Sequence, residues 1–536
     1  MEALNVLLAV SPVLVIFLLL MLRRTPADVA GAIGWVVTCA VALLWFRTGA
    51  SVVARASLAG LVASLPISLM VGASLFQMTF MLETGAVDRI VLAMKAVSPR
   101  DRVAQILMIN VGFGTLVTAL GATPVSILPP IMLALGYSSF VAIALPAIGY
   151  DSLCTYALLA VPAVVFTDVL APIAREAGIV LTLRETGLLF ARFIPAVTAC
   201  IALGMFWIVG RWRLVARGLP LALLTGAIAG LCCWGMAWAD LVPLTGVAAG
   251  AAIIAALALV LKARRLPVWD EAGLTPRERE AKQTMGLARA ASPWLLLLAL
   301  AVLVNLKALP LFDLFFNKLP LAVPIVPGRP LATRVLWQAY TWVLVATLVA
   351  TIWLRPTGAQ WRAILARTRR RAPRPVFAAA VFFAIAYVID HSGKVAQTAA
   401  EGGAVWALPD PGLNMVRVVA AAAADGFGSL YGLVAPYLGL LAGFISGSET
   451  SAIAMLSRFH TETAGALGRP AAVGLLLAAG SAVGGGLASV ISPAKLQNAA
   501  AIIDRIGEEG KVLRTTTVIS LAIAFLTAVM TLLWTI

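Results

Sequence analysis

Glu449 stands among small polar residues that interrupt a long apolar run, in the sequence GFISGSETSAIAML at 443–456. A carboxylate is costly in hydrocarbon, whereas amides and hydroxyls beside it can hydrogen-bond an anion or a coupling ion. We therefore interpret Glu449 as a candidate proton carrier. Its neighbours with hydroxyls or a bare backbone are candidate substrate-binding residues: Ser446, Gly447, Ser448, Thr450 and Ser451. The alternative is a short loop that reaches the membrane surface.

A second polar interruption, GATPVS at 121–126, lies in the first half of the chain. Small residues let a ligand approach the backbone, and amides at a helix start can hold a carboxylate. Gly121, Thr123, Pro124 and Ser126 are therefore candidate substrate-binding residues. The alternative is a packing interface kinked by proline.

Two further segments place acids inside apolar sequence. Asp151, in GYDSLCTY, is the only charge between Val103 and Thr167 and could bind a proton or sodium. Its alternative is a helix N-cap near the surface. Asp390 and His391 end the apolar run AYVIDHSGK, and a histidine beside an acid could couple proton uptake to binding. Their alternative is a C-cap with its charges in water.

The segment VISPAKLQNAA, at 490–501, contributes one more candidate substrate-binding residue, Ser492. It follows a glycine-rich apolar stretch. Lys495 within it is either a counter-charge for an anion or an end residue that reaches to the membrane surface, and the second interpretation is slightly favoured.

The composition predicts what must position these residues. Of 536 residues, 61% are hydrophobic and only 12% are charged, far from the balance of soluble domains. Uncharged runs at 3–22, 57–82, 241–261, 335–354 and 515–536 are each long enough to cross a bilayer. Backbone groups must be satisfied in lipid, so we predict an all-α polytopic membrane protein with about 12 to 14 transmembrane helices.

The net charge of +16 comes from basic clusters between these runs. Three clusters, at 211–217, 262–289 and 355–374, are separated by room for two spans each, so all three can face the cytoplasm. This pattern excludes a nucleic-acid partner. The five cysteines are scattered through apolar segments, and with two histidines a His-rich metal site is excluded. The sequence contains no phosphate-binding loop and no nucleophile–His–Asp arrangement, so we expect no cofactor and no enzyme.

The stretch 103–150 carries no charge and, as one helix, would be about 70 Å long, so it must turn back within the membrane. Together with 446–456 it forms a pair of interrupted segments, one in each half, the usual sign of a transporter's binding site. We predict two inverted repeats with re-entrant or broken helices at the midplane. The first half is 1–261 with a hairpin near 121–130. A cytoplasmic linker at 262–290 follows, with a short helix starting near Thr275, and the second half is 291–536.

The C-terminal third resembles the lactate permease family of bacterial and archaeal importers of lactate and glycolate, which are thought to use proton symport. The resemblance rests on the motifs at 446–451, 491–493 and 507–514, in that order. The family's Gly-Ala-Pro-Val hairpin is similar to GATPVS. The family's glutamate before that hairpin is missing from 113–120, and its Asn-Thr-Ala-Pro step is replaced by GYDSLCTY. Asp151 or Glu449 could supply the missing carboxylate.

The resemblance implies a secondary transporter in the cell (inner) membrane that imports a small carboxylate anion such as lactate or glycolate with a proton. Coupling to sodium, exchange of another carboxylate and an anion channel are the alternatives. An intramembrane enzyme would need a catalytic pair, and Ser492 with Lys495 is the one pair on offer. The partners implied are the anion, the proton, the lipid bilayer and, as one allowed assembly, a homodimer.

Overall fold

The computed structural model describes residues 2–23, 25–97, 101–271, 274–306, 309–398, 404–505 and 507–536. The helices up to the linker are α1 (Glu2–Met21), α2 (Ala27–Leu44), α3 (Ala50–Ala63), α4 (Leu65–Glu83), α5 (Ala86–Lys95), α6 (Arg102–Ile106), α7 (Gly114–Ala119), α8 (Leu128–Ala134), α9 (Ser139–Gly149), α10 (Ala157–Glu176), α11 (Leu183–Ala191), α12 (Ile194–Trp238) and α13 (Thr245–Ala263). A π-helical stretch, Leu107–Phe113, joins α6 to α7.

The remaining helices are α14 (Pro276–Thr284), α15 (Leu287–Ala290), α16 (Ser292–Asn305), α17 (Ala339–Leu354), α18 (Gly358–Arg371), α19 (Pro373–Asp390), α20 (Met415–Phe427), α21 (Tyr431–Ser446), α22 (Glu449–Ala466), α23 (Ala471–Gly486), α24 (Pro493–Ile502) and α25 (Glu509–Thr535). Two antiparallel hairpins connect helices outside the bundle: β1 (Leu321–Val326) with β2 (Arg329–Thr333), and β3 (Val395–Thr398) with β4 (Ala404–Ala407).

Within the described residues, eleven helical segments are long and apolar enough to cross a membrane, and three shorter apolar helices accompany them. One segment, α12, has 45 residues and bends at Gly210 and Arg211, where the backbone leaves helical geometry. A bilayer needs only about 20 helical residues, so α12 supplies two passages. The chain is an all-α, multi-pass integral membrane protein, as its composition predicts.

The basic clusters define the two faces of the bundle. The second passage of α12 and α13 separate the first cluster from the second, and α16 and α17 separate the second from the third. Each pair of helices returns the chain to the same side, which the positive-inside rule makes the cytoplasmic one. The linker helix α14 begins where it is expected, because the Thr275 hydroxyl and the Glu278 carboxylate form a capping box. Residues 272 and 273 of the linker lie outside the described part.

The uncharged stretch 103–150 does turn back. The chain runs from α6 through α7, breaks at 120–127, and returns as the short helix α8 before α9 begins. Gly121 makes the break possible: its φ is +90°, and a Cβ there would lie 2.8 Å from Cε of Met70. A left-handed backbone at such close range favours glycine. We call α7, the break and α8 the first hairpin.

The second half contains a matching interruption between α21 and α22. Gly447 ends α21 in the left-handed conformation, and the Ser448 hydroxyl accepts a hydrogen bond from the Ser451 amide as the N-cap of α22. We call α21, residues 447–448 and α22 the second hairpin. It packs tightly on α23, since a Cβ on Gly439 would lie only 1.8 Å from the Ser481 carbonyl oxygen. Small residues allow such close helix contacts in membranes.

Each hairpin is followed by a broken span. After the first hairpin, α9 leads through the 3-10 segment Tyr150–Tyr156 into α10. After the second, α23 leads through the 3-10 segment Ser489–Ile491 into α24. The chain approaches the first hairpin through α6, whose N-cap Asp101 pairs with Arg264 of a cytoplasmic cluster. The second lies next to α19, which leaves the cytoplasmic face at Pro373 and reaches the outer face at Asp390. We infer that the hairpins enter from opposite faces, and the two inverted repeats stay a prediction.

Candidate functional site

The two broken spans meet at their 3-10 segments, which touch each other in the middle of the bundle. The first is unwound further, because Leu158, Leu159 and Ala160 all have positive φ angles of 56–63°. Left-handed geometry costs about 1–2 kcal/mol per residue outside glycine, and such strain clusters at functional sites. Irregular backbone at membrane depth is tolerated where protein or a wet cavity surrounds it. The meeting point of the two spans is therefore the candidate site.

Glu449 lies at this point, at the first residue of α22, with 2% of its surface exposed. Its Oε1 accepts a hydrogen bond of 2.7 Å from the Thr155 hydroxyl of the first broken span. Its Oε2 is buried without a hydrogen-bond partner among the described residues. Gly486 leaves room for this oxygen, because a Cβ there would lie 2.8 Å from Oε2. Glu449 thus joins the second hairpin to the first half of the chain.

Asp151 lies on the other side of the same contact and is 5% exposed. Its Oδ2 accepts a hydrogen bond of 3.3 Å from the backbone amide of Val490 in the second broken span. Its Oδ1 is buried without a hydrogen-bond partner in the described part of the chain. The structure therefore does not place Asp151 as a surface N-cap. Both acids connect one half of the protein to the other and keep one oxygen unpaired.

Lys495 supplies the positive charge of the cluster. Its Nζ donates a hydrogen bond of 2.7 Å to the Ser489 hydroxyl, and it attracts both Asp151 and Glu449 electrostatically. The side chain turns inward from the start of α24 rather than towards the membrane surface, so the favoured sequence interpretation of Lys495 is wrong. Asp151, Glu449 and Lys495 form what we call the central cluster, with two carboxylates against one ammonium.

The tips of both hairpins border α24, next to the central cluster. In the first tip, Thr123 and Ser126 are hydrogen-bonded at 3.0 Å, and Asn498 of α24 donates to the Ser126 hydroxyl at 2.9 Å. In the second tip, a Cβ on Gly447 would lie 3.5 Å from Oγ of Ser492, just before α24. The structure thus brings the GATPVS and SGSETS segments next to the same element, α24 of the second broken span.

The remaining tip residues take different positions. Ser446 donates to the carbonyl oxygens of Ala442 and Ser448, so its hydroxyl serves the turn itself. Thr450 and Ser451 are buried, and Oγ of Ser451 has no hydrogen-bond partner among the described residues. Pro124 is buried in the first tip, where it begins the 3-10 turn that ends at Ser126. These residues shape the tips, and the tips present hydroxyls and amides towards α24.

Asp390 and His391 do not join the central cluster. Asp390 pairs with Arg458 of α22 at 2.8 Å, and His391 lies 3.5 Å from the same carboxylate oxygen. Arg458 is nine residues after Glu449 on one helix, which places it about 13 Å further along the axis. His391 is buried, with 6% of its surface exposed, so the pair is not simply in water. It belongs to a separate cavity on the outer side.

Sequence reasoning missed several residues at these sites. Thr155, Ser489 and Asn498 lie in or beside segments singled out above, but short polar side chains in apolar helices give no signal of their partners. Gly486 is one of several glycines in its helix. Arg458 carried a readable signal, because it lies nine residues after Glu449 in the same segment, and an arginine at membrane depth is rare and usually functional.

Known proteins resemble this chain along nearly its full length. The family model for L-lactate permease matches residues 5–536. An L-lactate permease of Salmonella typhimurium is 23% identical over 99% of this chain and 96% of that protein. Glycolate permease GlcA of Escherichia coli K12 is 23% identical over 99% of this chain and 95% of its own length. An L-lactate permease of Bacillus subtilis is 23% identical over similar shares, 99% and 96%.

The family match therefore includes both hairpins, both broken spans and the central cluster between them, as well as the C-terminal motifs that carry the sequence resemblance. With a match across almost every residue, this multi-pass membrane protein belongs to the L-lactate permease family.

Proposed function

We propose that the protein is a secondary transporter of the cell membrane that imports a small 2-hydroxy-monocarboxylate, lactate or glycolate, together with a proton. The family and the names of the relatives support the anion. The observation that carries the coupling is the central cluster: two buried carboxylates, each with an unpaired oxygen among the described residues, beside one half-buried ammonium at the junction of the two halves.

The charge balance of the central cluster links the anion to the proton. With both acids ionised, the cluster already holds one negative charge more than Lys495 neutralises. A carboxylate substrate would add another negative charge in a site with little water, where uncompensated charge is costly. Protonation of Asp151 or Glu449 removes that excess. Anion binding therefore favours proton binding, and by linkage proton binding favours the anion to the same degree.

Lys495 and the helix starts provide the attraction for the anion. The N-termini of α22 and α24 both point into the site, and a helix N-terminus favours negative charge through its free amides and its dipole. The hydroxyls of Thr123, Ser126, Ser446, Ser448, Thr450 and Ser492 lie at the two tips and at the start of α24. We assign the substrate carboxylate to Lys495 and the hydroxyls of Ser448, Thr450 and Ser492, and the 2-hydroxyl to the Ser126–Asn498 side.

Glu449 is the preferred proton carrier of the two acids. Its hydrogen bond to Thr155 crosses between the halves, so a change in its protonation alters a contact between the elements that must separate for alternating access. The anionic form of Glu449 accepts a hydrogen bond from the Thr155 hydroxyl. The protonated form can also donate a hydrogen bond to the substrate through its second oxygen. Asp151, anchored on the Val490 amide, holds the second broken span in register.

The test is uptake of radiolabelled lactate and glycolate into proteoliposomes, with and without an imposed inward proton gradient. We expect saturable accumulation above the equilibrium level only with the proton gradient. Accumulation driven by a sodium gradient instead would show that sodium, not the proton, is the coupling ion. Uptake that needs an anion on the opposite side would indicate exchange, and downhill flux without saturation would indicate a channel. Homodimer formation stays a separate prediction, to be checked by the mass of the purified protein in detergent.

A further inference from the structure

A cavity whose lining includes several charged residues lies on the outer side of the bundle. It has a volume of about 540 Å³, within the roughly 300–1,000 Å³ common for small-molecule sites. Helices α10, α19 and α22 form walls of this cavity, and the hairpin of β1 and β2 contributes from outside. Because α19 starts beside the arginine-rich helix α18 and ends at Asp390, the cavity is on the face opposite the cytoplasmic one.

Charged side chains line this outer cavity in pairs. Arg334 donates to both carboxylate oxygens of Asp168, at 2.9 and 3.0 Å. Arg458 donates to Asp390 at 2.8 Å. A third guanidinium, that of Arg175, also lines the cavity, so its arginines outnumber its aspartates. Arg458 also pairs with Glu462, which is outside the lining, at 3.6 Å. The excess of arginines is therefore confined to the lining itself, where it favours an anion over a cation.

Two atoms of these pairs are buried without hydrogen-bond partners among the described residues: Nε of Arg334 and Oδ1 of Asp390. A buried polar atom without a partner is costly, and a ligand can supply the missing bond. The free N–H of Arg334 suits a carboxylate oxygen, because a guanidinium presents its donors in a planar fork that matches carboxylate geometry. The free oxygen of Asp390 suits a hydroxyl donor.

The outer cavity is connected to the central cluster by two helices. On α22, Glu449 is at the first residue and Arg458 lines the cavity. On α10, the unwound residues 158–160 border the central cluster and Asp168 lines the cavity. Both cavity residues lie about 13 to 15 Å along their helices from the cluster. An anion in the cavity would therefore be on the outer side of the central site, separated from it by about two or three helical turns.

We propose that the outer cavity is a second binding site for the same class of anion, a small hydroxy-monocarboxylate, which it holds before the anion reaches the central cluster. The carboxylate binds between Arg334 and Arg458, and the hydroxyl donates to Asp390. The proposal rests on the proposed function for the identity of the anion. The proposed function involves only the central cluster and the hairpin tips. The outer site is an addition to it and is formed by different residues.

Access to the cavity can be followed with a cysteine placed in its wall. Ala454 lines the cavity one turn before Arg458 on α22. We would label an Ala454→Cys variant in right-side-out vesicles with a negatively charged methanethiosulfonate and quantify the modified peptide by mass spectrometry. We expect lactate to slow labelling at least fivefold, and the uncharged lactamide to have no effect. Leu336→Cys, exposed near the same face but not lining the cavity, is the matched control, and lactate should leave its labelling unchanged.

Two second-site changes separate the cavity from the central cluster. Lys495→Gln, which disables the central site, should leave lactate protection of the Ala454→Cys thiol within twofold. The paired change Asp168→Asn with Arg334→Gln removes one ion pair without leaving a lone charge, and should raise the half-protecting lactate concentration at least tenfold. Met455→Cys, also in the wall, repeats the measurement if Ala454→Cys does not fold.

The outcomes distinguish this proposal from the proposed function. Protection that disappears in Lys495→Gln, or that persists in the paired change, would overturn the outer site, because it would then reflect events at the central cluster. Transport of lactate without any protection of the introduced thiol would overturn the outer site alone. Protection without lactate transport would support the outer site and overturn the proposed function.

Discussion

The central cluster and the outer cavity both contain acidic side chains near basic ones. The two regions differ in whether an acid and a base form a direct ion pair. In the cavity, Asp168 and Asp390 each meet an arginine at 2.8–3.0 Å. In the central cluster, Lys495 bonds to Ser489, while Asp151 and Glu449 take their bonds from an amide and a hydroxyl. Each outer acid forms a direct ion pair with an arginine, whereas the hydrogen bonds of the central acids come from neutral donors.

This difference indicates which groups can exchange protons. A carboxylate bridged to a guanidinium keeps its charge, since arginine does not deprotonate in proteins. A buried carboxylate held only by neutral donors has a stable neutral form available to it. We therefore assign anion attraction to both regions and proton coupling to the central cluster alone. Four substitutions test this difference between the two regions, and the first has the largest expected effect.

Lys495→Gln should reduce lactate uptake by about a hundredfold or more, because it leaves two acids buried without their positive partner, a loss on the order of 3–5 kcal/mol. Initial rates in proteoliposomes measure this. Lys495→Arg should recover part of the activity, since the charge returns with a different shape. Lys262→Gln, an exposed lysine at the cytoplasmic end of α13, is the control and should transport normally. Normal uptake by Lys495→Gln would remove Lys495 from the site.

Gly486→Ala should reduce uptake about tenfold. The new Cβ would lie 2.8 Å from Oε2 of Glu449 and 3.3 Å from Cβ of Cys154, so the Glu449 carboxylate must move. Overpacking of this kind costs roughly 1–3 kcal/mol, which thermal unfolding in detergent would also register. Gly235→Ala, where nothing lies within 4 Å of the new Cβ, is the matched control. Equal behaviour of the two variants would show that the space at Gly486 is not needed by Glu449.

Asn498→Ala should raise the KM for lactate by about two- to tenfold while kcat changes little. The change removes the hydrogen bond to the Ser126 hydroxyl, and one such bond is worth about 0.5–1.5 kcal/mol. Concentration-dependent uptake gives both constants. Gln497→Ala, one residue earlier and also exposed, serves as the comparison. An unchanged KM in Asn498→Ala would show that the hydrogen bond between Asn498 and the first hairpin tip does not contribute to substrate binding.

Glu278→Gln should have the smallest effect, because this acid lies in the linker rather than in the membrane. Its carboxylate accepts a bond from the Lys95 ammonium, and this bond, with that from the Thr275 amide, lowers the pKa of Glu278. The stabilisation is therefore present at neutral pH and is lost as the pH falls through the lowered pKa. A partly exposed surface pair of this kind contributes about 0.2–1 kcal/mol. Tryptic cleavage of the linker at neutral pH should rise by less than about fivefold, with transport unchanged.

Much of the architecture is readable from hydropathy and turn residues. The length of 103–150 requires a reversal, and glycine and proline show where it occurs. The residue pattern Thr-Pro-x-Glu at 275–278 predicts the start of α14, and the structure confirms it. Asp151 and Glu449 stand out because charge in apolar sequence is rare, and the structure places both at one junction.

The partners of those acids could not be predicted, because they come from distant parts of the chain. Thr155 reaches Glu449 across 294 residues, and Val490 reaches Asp151 across 339. Local sequence also does not distinguish Lys495, which turns inward, from a lysine that reaches for the membrane surface. His391 beside Asp390 suggested a proton relay, whereas the tertiary contact with Arg458 places both at the outer cavity. Helix periodicity describes which face is apolar, not which helix will cover it.

The central claim is that Glu449 binds the proton that accompanies the anion. The most direct measurement is internal pH in proteoliposomes loaded with a fluorescent pH indicator, after lactate is added outside without an imposed gradient. Protein-free liposomes correct for diffusion of neutral lactic acid, and Asp425→Asn, an exposed acid on α20, is the matched control. We expect rapid acidification with the parent protein and with Asp425→Asn, and none above background with Glu449→Gln, although the folded variant still exchanges lactate for lactate. Acidification by Glu449→Gln at the parent rate would show that Glu449 does not bind the transported proton.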